Sequence, residues 1–137
     1  MSSVVLDASA LLAFLQRESG ADLVERHLAG AALSAVNYSE LLKKVVENGG
    51  SVQEAAGVIQ TLQLDIIPFD ERQAMVAAAL LPKTQGKGLS LADRVCLTLE
   101  SELKAALYTT DRRIAEIDAP VRMVLIREAA RQSVKRK

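Results

Sequence analysis

Four acidic side chains in this sequence each follow a short apolar stretch: Asp7, Glu40, Asp93 and Asp111. Apolar stretches of that length are typical of a strand that ends or a helix that begins. If the strands are parallel, the four carboxylates converge on one edge of one sheet, where like charges repel unless a cation holds them. Mg²⁺ and Mn²⁺ prefer oxygen ligands. The pattern therefore predicts an acidic site for a divalent metal ion.

Helix capping is an alternative explanation for the same residues. Asp7 and Asp111 could each cap a helix N-terminus, while Asn37 to Glu40 and Ser90 to Asp93 both match a capping box. Helices that follow parallel strands all begin at the same edge of the sheet, so capping also predicts convergence. Convergence alone does not separate a structural role from a functional one.

The repulsion between neighbouring carboxylates favours a metal site. Two unit charges at ~4 Å repel by roughly 4 kcal/mol at an effective dielectric near 20, and a structural design would scatter the acids or pair each with a base. Arg94, Arg112 and Arg113 are close in sequence. On helices we expect them to point away from the neighbouring acids, since adjacent residues lie about 100° apart around the axis.

The other reactive side chains exclude several chemistries. His27 is the only histidine and lies in a charged helical segment, where we expect a solvated surface residue; Cys96 is the only cysteine and lies in an apolar helical stretch, which indicates a structural role. These counts exclude a Ser-His-Asp triad, a zinc site of Cys and His ligands, and a disulfide framework. The Gly86 to Gly88 segment is too short to be a phosphate-binding loop.

Composition favours a single α/β domain that spans residues 1–137. Half of the residues are hydrophobic but only 3% are aromatic, so the core must be built from Ala, Leu, Val and Ile. Seventeen basic residues balance seventeen acidic ones, so contacts to a polyanion must use local patches. The N-terminus lacks a signal-peptide pattern, and no stretch approaches the ~18 apolar residues of a membrane span. We expect a cytoplasmic protein with no membrane partner.

Short β-rich runs alternate with helical periodicity, which predicts a central parallel sheet of about five strands. The candidate strands are Ser3 to Leu6, Ala32 to Ala35, Leu64 to Pro68, Ala106 to Thr109 and Val121 to Ile126. The candidate helices are Asn37 to Asn48, a helix opened by Ser51 and Glu54, Asp70 to Leu81, a helix started by Ser90, and Arg127 to Lys137. Pro82 is expected to end the third of these helices, and Lys83 to Gly88 to form an exposed loop.

Four segments carry the acids in order: VVLDASALLAFL (4–15), SAVNYSELLKKV (34–45), LSLADRVCLTLE (89–100) and LYTTDRRIA (107–115). Together they resemble the four acidic motifs of the PIN-domain ribonucleases, and their order and the chain length are most similar to the VapC toxins. The resemblance implies a three-layer α/β/α fold. It also implies that the acids at the carboxyl edge of the sheet bind Mg²⁺ or Mn²⁺ for RNA cleavage.

The resemblance assigns roles residue by residue. Asp7 and Asp93 match the acids most directly tied to the metal, and Glu40 and Asp111 match those that hold a second ion or a water. Ser9 and Thr110 match hydroxyl positions that support the site. Near the predicted cleft, four basic side chains are candidates for RNA phosphate contacts, although solvated surface charge explains each as well: Lys83, Lys87, Arg112 and Arg113.

The implied activity is endonucleolytic RNA hydrolysis that leaves a 5′ phosphate and a 3′ hydroxyl. A bound ion would lower the pKa of a coordinated water toward ~7 and neutralise the phosphate. The resemblance further implies the toxin of a type II toxin–antitoxin pair, a cognate antitoxin that occupies the acidic cleft, and a homodimer. Surplus apolar positions in the middle helices, such as Val46 and Val58, agree with self-association. The sequence does not indicate which RNA is cleaved.

Three alternatives stay open. An aspartyl phosphotransferase with Asp7 as nucleophile needs a second acid two places on, where this chain has Ser9. A phosphoacceptor receiver domain needs paired acids at the first strand and a lysine after the last, where this chain has one acid and Arg127. A catalytically silent PIN-fold binding module is the third alternative, and the presence of all four acids argues against it.

Overall fold

A parallel sheet of five strands forms the centre of the computed structural model, which describes residues 4–117 and 123–126. All pairings are parallel and the strand order is β3-β2-β1-β4-β5. The strands are β1 (Val4–Leu6), β2 (Ala32–Ser34), β3 (Asp65–Ile67), β4 (Ala106–Thr109) and β5 (Met123–Leu125). The predicted five-stranded parallel sheet is confirmed.

Eight helices accompany the strands in the described part of the chain. They are α1 (Ala8–Leu15), α2 (Ala21–Glu25), α3 (Ala35–Glu47), α4 (Val52–Thr61), α5 (Glu71–Ala79), α6 (Leu81–Thr84), α7 (Leu91–Leu103) and α8 (Arg112–Ala115). Helices α1, α3 and α8 each begin within three residues after a strand ends, namely β1, β2 and β4. Helix α7 follows α5 and α6 instead of a strand.

The sheet separates two hydrophobic clusters, because successive strand residues point to opposite faces. Leu6 and Leu33 pack with helices α1 to α4 on one face, where Leu11 and Leu41 are fully buried. The strand residues that point to the other face pack against α7 and α8. They include Val5, Ala32 and Leu107. Helices on both faces confirm the three-layer α/β/α architecture.

Helix α3 begins two residues earlier than the predicted Asn37. Ser34 is its N-cap, and the Ser34 hydroxyl accepts a hydrogen bond from the Val36 N–H at 3.2 Å. The predicted capping box from Asn37 to Glu40 is therefore wrong, and Glu40 lies inside the helix. Two start signals overlap in this segment, and the one at the end of strand β2 prevails because the chain turns directly from strand into helix.

Pro82 does not end the helix that precedes it. Helix α5 stops at Ala79, and Pro82 lies in the first turn of α6, a position that proline tolerates because its missing N–H has no partner there. The predicted loop from Lys83 to Gly88 is mostly exposed, as expected, but Lys83 and Thr84 are helical and Thr84 is buried.

Other predictions have mixed outcomes. Asp70, Ser51 and Ser90 cap α5, α4 and α7 as expected, and Cys96 is buried in α7. His27 is half-buried rather than solvated, because its ring packs edge-on against Tyr108 with centroids 5.3 Å apart.

Ser3, Val121 and the predicted helix from Arg127 to Lys137 lie outside the described residues. Within the described residues, no helix is long and apolar enough to cross a membrane.

Candidate functional site

A cleft of about 260 Å³ opens at the carboxyl edge of the sheet, where α1, α3, α7 and α8 begin. All four acids that the sequence singled out line it, together with two basic side chains and several small or polar residues. The lining residues are Asp7, Ala8, Ser9, Asn37, Glu40, Lys44, Gly88, Ser90, Ala92, Asp93, Asp111, Arg113 and Ile114. The predicted convergence of the four carboxylates in one pocket is therefore observed.

Asp7 is the most deeply placed of the acids, with 4% of its surface exposed. It directly follows β1 and caps α1, where its Oδ1 accepts hydrogen bonds from the Ala10 N–H at 2.8 Å and the Ser9 hydroxyl at 2.6 Å. The Thr109 hydroxyl donates to Oδ2 at 2.5 Å. Both carboxylate oxygens are held by short hydrogen bonds, so the side chain is fixed in one orientation.

Thr109 supplies a hydroxyl that the sequence interpretation assigned to Thr110. Besides its bond to Asp7, the Thr109 Oγ1 accepts from the Asp111 N–H at 2.9 Å, whereas Thr110 donates its backbone N–H to Ser9 Oγ at 3.0 Å. The register explains the difference. Leu6 pairs with Tyr108 in the parallel strands β1 and β4, so the next residues, Asp7 and Thr109, also lie side by side.

Asp93 lies in the first turn of α7 and closes the capping box that the sequence predicted. Its Oδ2 accepts from the Ser90 N–H at 2.8 Å and from the Ser90 hydroxyl at 3.1 Å, while its own N–H donates to Ser90 Oγ at 3.3 Å. Both side-chain bonds use a single oxygen, Oδ2. Asp93 is thus a cap and a cleft residue at the same time.

Asp111 caps α8 and forms a two-pronged ion pair with Arg113. Arg113 donates from Nε to Oδ1 at 3.1 Å and from Nη2 to Oδ2 at 2.8 Å, and its backbone N–H also bonds Oδ1. Its Nη1 donates to the Gly88 carbonyl at 2.9 Å. The expectation that the nearby arginines point away from the acids is therefore wrong for Arg113, because the cap geometry folds residue 113 back over residue 111.

Glu40 and Lys44 face the cleft from α3, one helical turn apart. Lys44 was not singled out from the sequence, although its spacing of four residues from Glu40 places it on the same helix face. Of the four basic residues proposed as phosphate contacts, Arg113 lines the cleft. Among the described residues, the cleft lining does not include Lys83, Lys87 or Arg112.

The electrostatics differ between the acids. Burial raises the pKa of Asp7, with a smaller contribution in the same direction from the charge of Asp93, while the hydrogen bonds from Ser9, Thr109 and Ala10 oppose it. The hydrogen bond from the Arg113 side chain is the main reason why the pKa of Asp111 is lowered. The folded protein therefore disfavours the charged form of Asp7, whereas the charge of Asp111 is balanced by Arg113.

The donor set of the cleft suits a hard divalent cation, since it consists of carboxylate and hydroxyl oxygens. However, no three His, Cys, Asp or Glu side chains within residues 4–117 and 123–126 stand in an arrangement that could hold a metal ion. In this structure Asp93 is hydrogen-bonded to Ser90 and Asp111 to Arg113. The residue types fit a metal ion, and their side-chain orientations here serve the helix caps.

The sequence matches one known protein family over most of its length. The family model described as "PIN domain" matches residues 4–120. The chain belongs to the PIN domain family. The match spans β1 through the segment after α8, so all four acids lie inside it. A search of curated protein sequences found no significant match.

Solved structures of similar fold come from several bacteria. One is a toxin–antitoxin complex from Klebsiella pneumoniae, with 20% identity, a TM-score of 0.67, and coverage of 84% of this chain and 92% of that one. A DNA-bound VapBC from Salmonella typhimurium has 14% identity, a TM-score of 0.68, and coverage of 90% and 97%. Mycobacterium tuberculosis VapC20, described as a toxin that cleaves the sarcin–ricin loop, has 15% identity, a TM-score of 0.70, and coverage of 85% and 97%. At these identities the similarity demonstrates a shared fold.

Proposed function

We propose that this PIN domain is a Mg²⁺- or Mn²⁺-dependent endoribonuclease and the toxin of a type II toxin–antitoxin pair. The observation that carries the proposal is the gathering of Asp7, Glu40, Asp93 and Asp111 in one cleft at the carboxyl edge of the sheet. Structures of similar fold that are described as a toxin and as a toxin–antitoxin complex support it. We place this activity in the cytoplasm.

In the proposed site, Asp7 and Asp93 hold the metal ion, and Glu40 and Asp111 hold a second ion or a water. When bound, the metal supplies an activated water and neutralises phosphate charge. The hydroxyls of Ser9 and Thr109 keep the Asp7 carboxylate oriented. The bonds from Ser90 use only Oδ2 of Asp93, so Asp93 could hold the ion through Oδ1 while it still caps α7.

Two basic side chains at the cleft suit an RNA substrate. Lys44 and Arg113 line the same pocket as the acids, and both are exposed, so they can reach the phosphate groups of a bound strand. Lys83, Lys87 and Arg112 remain proposed contacts for phosphates farther along the strand. The net charge of zero means that these local contacts, and not a long-range field, must attract the RNA.

Cleavage assays test the proposal directly. Purified protein should cut RNA into fragments with a 5′ phosphate and a 3′ hydroxyl, lose this activity in EDTA, and regain it on addition of Mg²⁺ or Mn²⁺. Asp93→Asn should be inactive under the same conditions. Cleavage that survives EDTA or Asp93→Asn would contradict the metal mechanism. A fully metal-loaded protein that cuts no RNA would instead indicate a silent binding module.

The phosphotransfer alternatives make a different prediction. Incubation with acetyl phosphate should leave the mass of the protein unchanged, since Ser9 stands where an aspartyl phosphotransferase has its second acid. A phosphoryl adduct on Asp7 would favour those alternatives over hydrolysis.

The proposed partners are a cognate antitoxin in the cleft and a second copy of the chain. An antitoxin segment that carries a basic side chain would meet four carboxylates there. Exposed apolar side chains on α3 and α4 support self-association, namely Val46 (49% exposed), Val52 (41%) and Val58 (49%). Light scattering should give the mass of a dimer at micromolar concentration, and a monomer would contradict this part of the proposal.

A further inference from the structure

A buried amide connects helix α3 to the starts of α1 and α7. Asn37, in the first turn of α3, is 3% exposed. Its Oδ1 accepts the Ala8 N–H at 3.2 Å, and its Nδ2 donates to the Ala92 carbonyl at 3.2 Å. Ala8 directly follows Asp7, and Ala92 directly precedes Asp93. One side chain therefore bridges the backbone beside both acids.

The bridge needs a side chain that both accepts and donates a hydrogen bond. An N–H can only donate and a carbonyl can only accept, so the bridging group must offer one acceptor and one donor at the same end of a short side chain. Asparagine has both. Leucine has neither, and aspartate lacks the donor when it is ionised. The two backbone partners also fix which end of the Asn37 amide is oxygen.

The bridge joins two layers of the fold. Helix α1 packs on one face of the sheet through Leu11, and α7 packs on the opposite face through Leu99. Each acid is held firmly on its own side, Asp7 by Ser9 and Thr109 and Asp93 by Ser90. What those bonds do not fix is the position of one helix start relative to the other.

We infer that Asn37 is a positioning residue that sets the separation between Asp7 and Asp93 for a shared cation, an inference that rests on the proposed function. Glu40 lies one turn farther along α3 and faces the same cleft, so the bridge also relates the third acid to the first two. Asn37 acts through the backbone of Ala8 and Ala92 and does not itself need to touch the ion.

Mn²⁺ binding measured by calorimetry tests this inference, with Asn37→Leu compared to the full-length wild-type protein. Loss of a residue that positions metal ligands typically weakens affinity by about tenfold or more, and we expect that effect here. Leu41→Ala is the matched control, because Leu41 lies one turn along the same helix, is fully buried, and packs in the hydrophobic cluster. It should lower the melting temperature but change Mn²⁺ affinity by less than about twofold, since it leaves both bridging bonds intact.

The outcomes separate the possible failures. Folded Asn37→Leu that binds Mn²⁺ as tightly as wild type would overturn the inference, and so would an equal loss of affinity in Leu41→Ala. If Asn37→Leu does not fold, Asn37→Ala takes its place, and failure of both to fold would assign Asn37 to stability and overturn the positioning role. A wild-type protein that binds no Mn²⁺ would instead refute the proposed function, and this inference with it.

Discussion

Arg113 donates hydrogen bonds to both carboxylate oxygens of Asp111, and its Nη1 donates to the Gly88 carbonyl. One of the four cleft acids is therefore already paired with a cation from the same chain. The charge of Asp93 also acts on Arg113 in the direction that favours its protonated form. Arg113 thus offsets part of the repulsion that a metal ion is proposed to relieve.

Removal of this internal cation should strengthen metal binding. In Arg113→Ala, Mn²⁺ no longer competes with the guanidinium for Asp111, so its affinity should rise by about twofold to fivefold, the range expected for an exposed ion pair. RNA cleavage at saturating Mn²⁺ should fall, because a phosphate contact is lost. Calorimetry and a cleavage assay measure the two effects. Arg26→Ala is the control, because it removes an exposed contact with Asp22, at 3.8 Å and outside the cleft, and should change neither property. Weaker Mn²⁺ binding in Arg113→Ala would refute competition.

Gly88 and Gly86 provide a second test of the same contact. Both have positive φ, +72° and +79°, so alanine strains the backbone at either site by roughly 1 kcal/mol. Only at Gly88 would the added Cβ meet Arg113, at 2.7 Å from Nη1. Gly88→Ala should therefore displace the guanidinium and shift Mn²⁺ affinity in the same direction as Arg113→Ala. Gly86→Ala should lower stability alone, and equal Mn²⁺ affinities in the two glycine variants would count against the contact.

Asp7→Asn should separate activity from stability. Burial raises the pKa of Asp7, so the folded state disfavours its ionised form, and near neutral pH a neutral amide should leave the melting temperature equal or higher. Asparagine can still cap α1. RNA cleavage should fall by at least about 100-fold, because the amide is a poor ligand for a hard cation.

Asp70→Asn is the matched control for that variant. Asp70 caps α5 by accepting the Gln73 N–H at 2.8 Å, and it lies outside the cleft lining. The same chemical change there should leave cleavage unaffected. Asp7→Asn that retains cleavage, or that loses activity only in proportion to lost folded protein, would indicate that Asp7 is a structural cap.

Glu100 predicts an unusual dependence of stability on pH. It is fully buried in α7, neither carboxylate oxygen has a hydrogen-bond partner among the described residues, and burial raises its pKa to about 7. A folded-state pKa above the usual 4.5 means that its contribution to stability is fully present below about pH 4.5 and is lost as the pH rises through 7.

Glu100→Gln should therefore stabilise the protein at pH 8 but not at pH 5. We expect a gain of about 1 to 2 kcal/mol in the free energy of unfolding at pH 8, less than the full linkage value because the surroundings relax around a charged carboxylate. Urea denaturation at both pH values measures it. Glu25→Gln, at an exposed position, serves as the control, and an equal effect of Glu100→Gln at the two pH values would contradict the assignment.

Local signals predicted much of the fold and the site. Short β-rich runs located all five strands, and the capping residues Ser51, Asp70 and Ser90 located three helix starts. Asp7 and Asp93 were predicted for the same reason, since each lies within four residues of a clear element boundary. Their dual identity as caps and cleft residues shows that the two explanations drawn from the sequence are compatible.

Features that depend on distant parts of the chain were not predictable in the same way. Thr109 reaches Asp7 only because β1 and β4 pair in one particular register. The local sequence around Asn37 suggests a helix cap. Its actual partners, Ala8 and Ala92, are 29 and 55 residues away, so the local pattern does not reveal them. Arg113 was misjudged because ideal helix geometry does not apply at an N-cap, where the chain has not yet entered the helix.

The most direct test of the account is an anomalous-scattering map from crystals of the wild-type protein grown with Mn²⁺. We predict an anomalous peak in the cleft that carboxylate oxygens of both Asp7 and Asp93 coordinate. A map with no peak in the cleft, or with a peak that these two residues do not share, would contradict it.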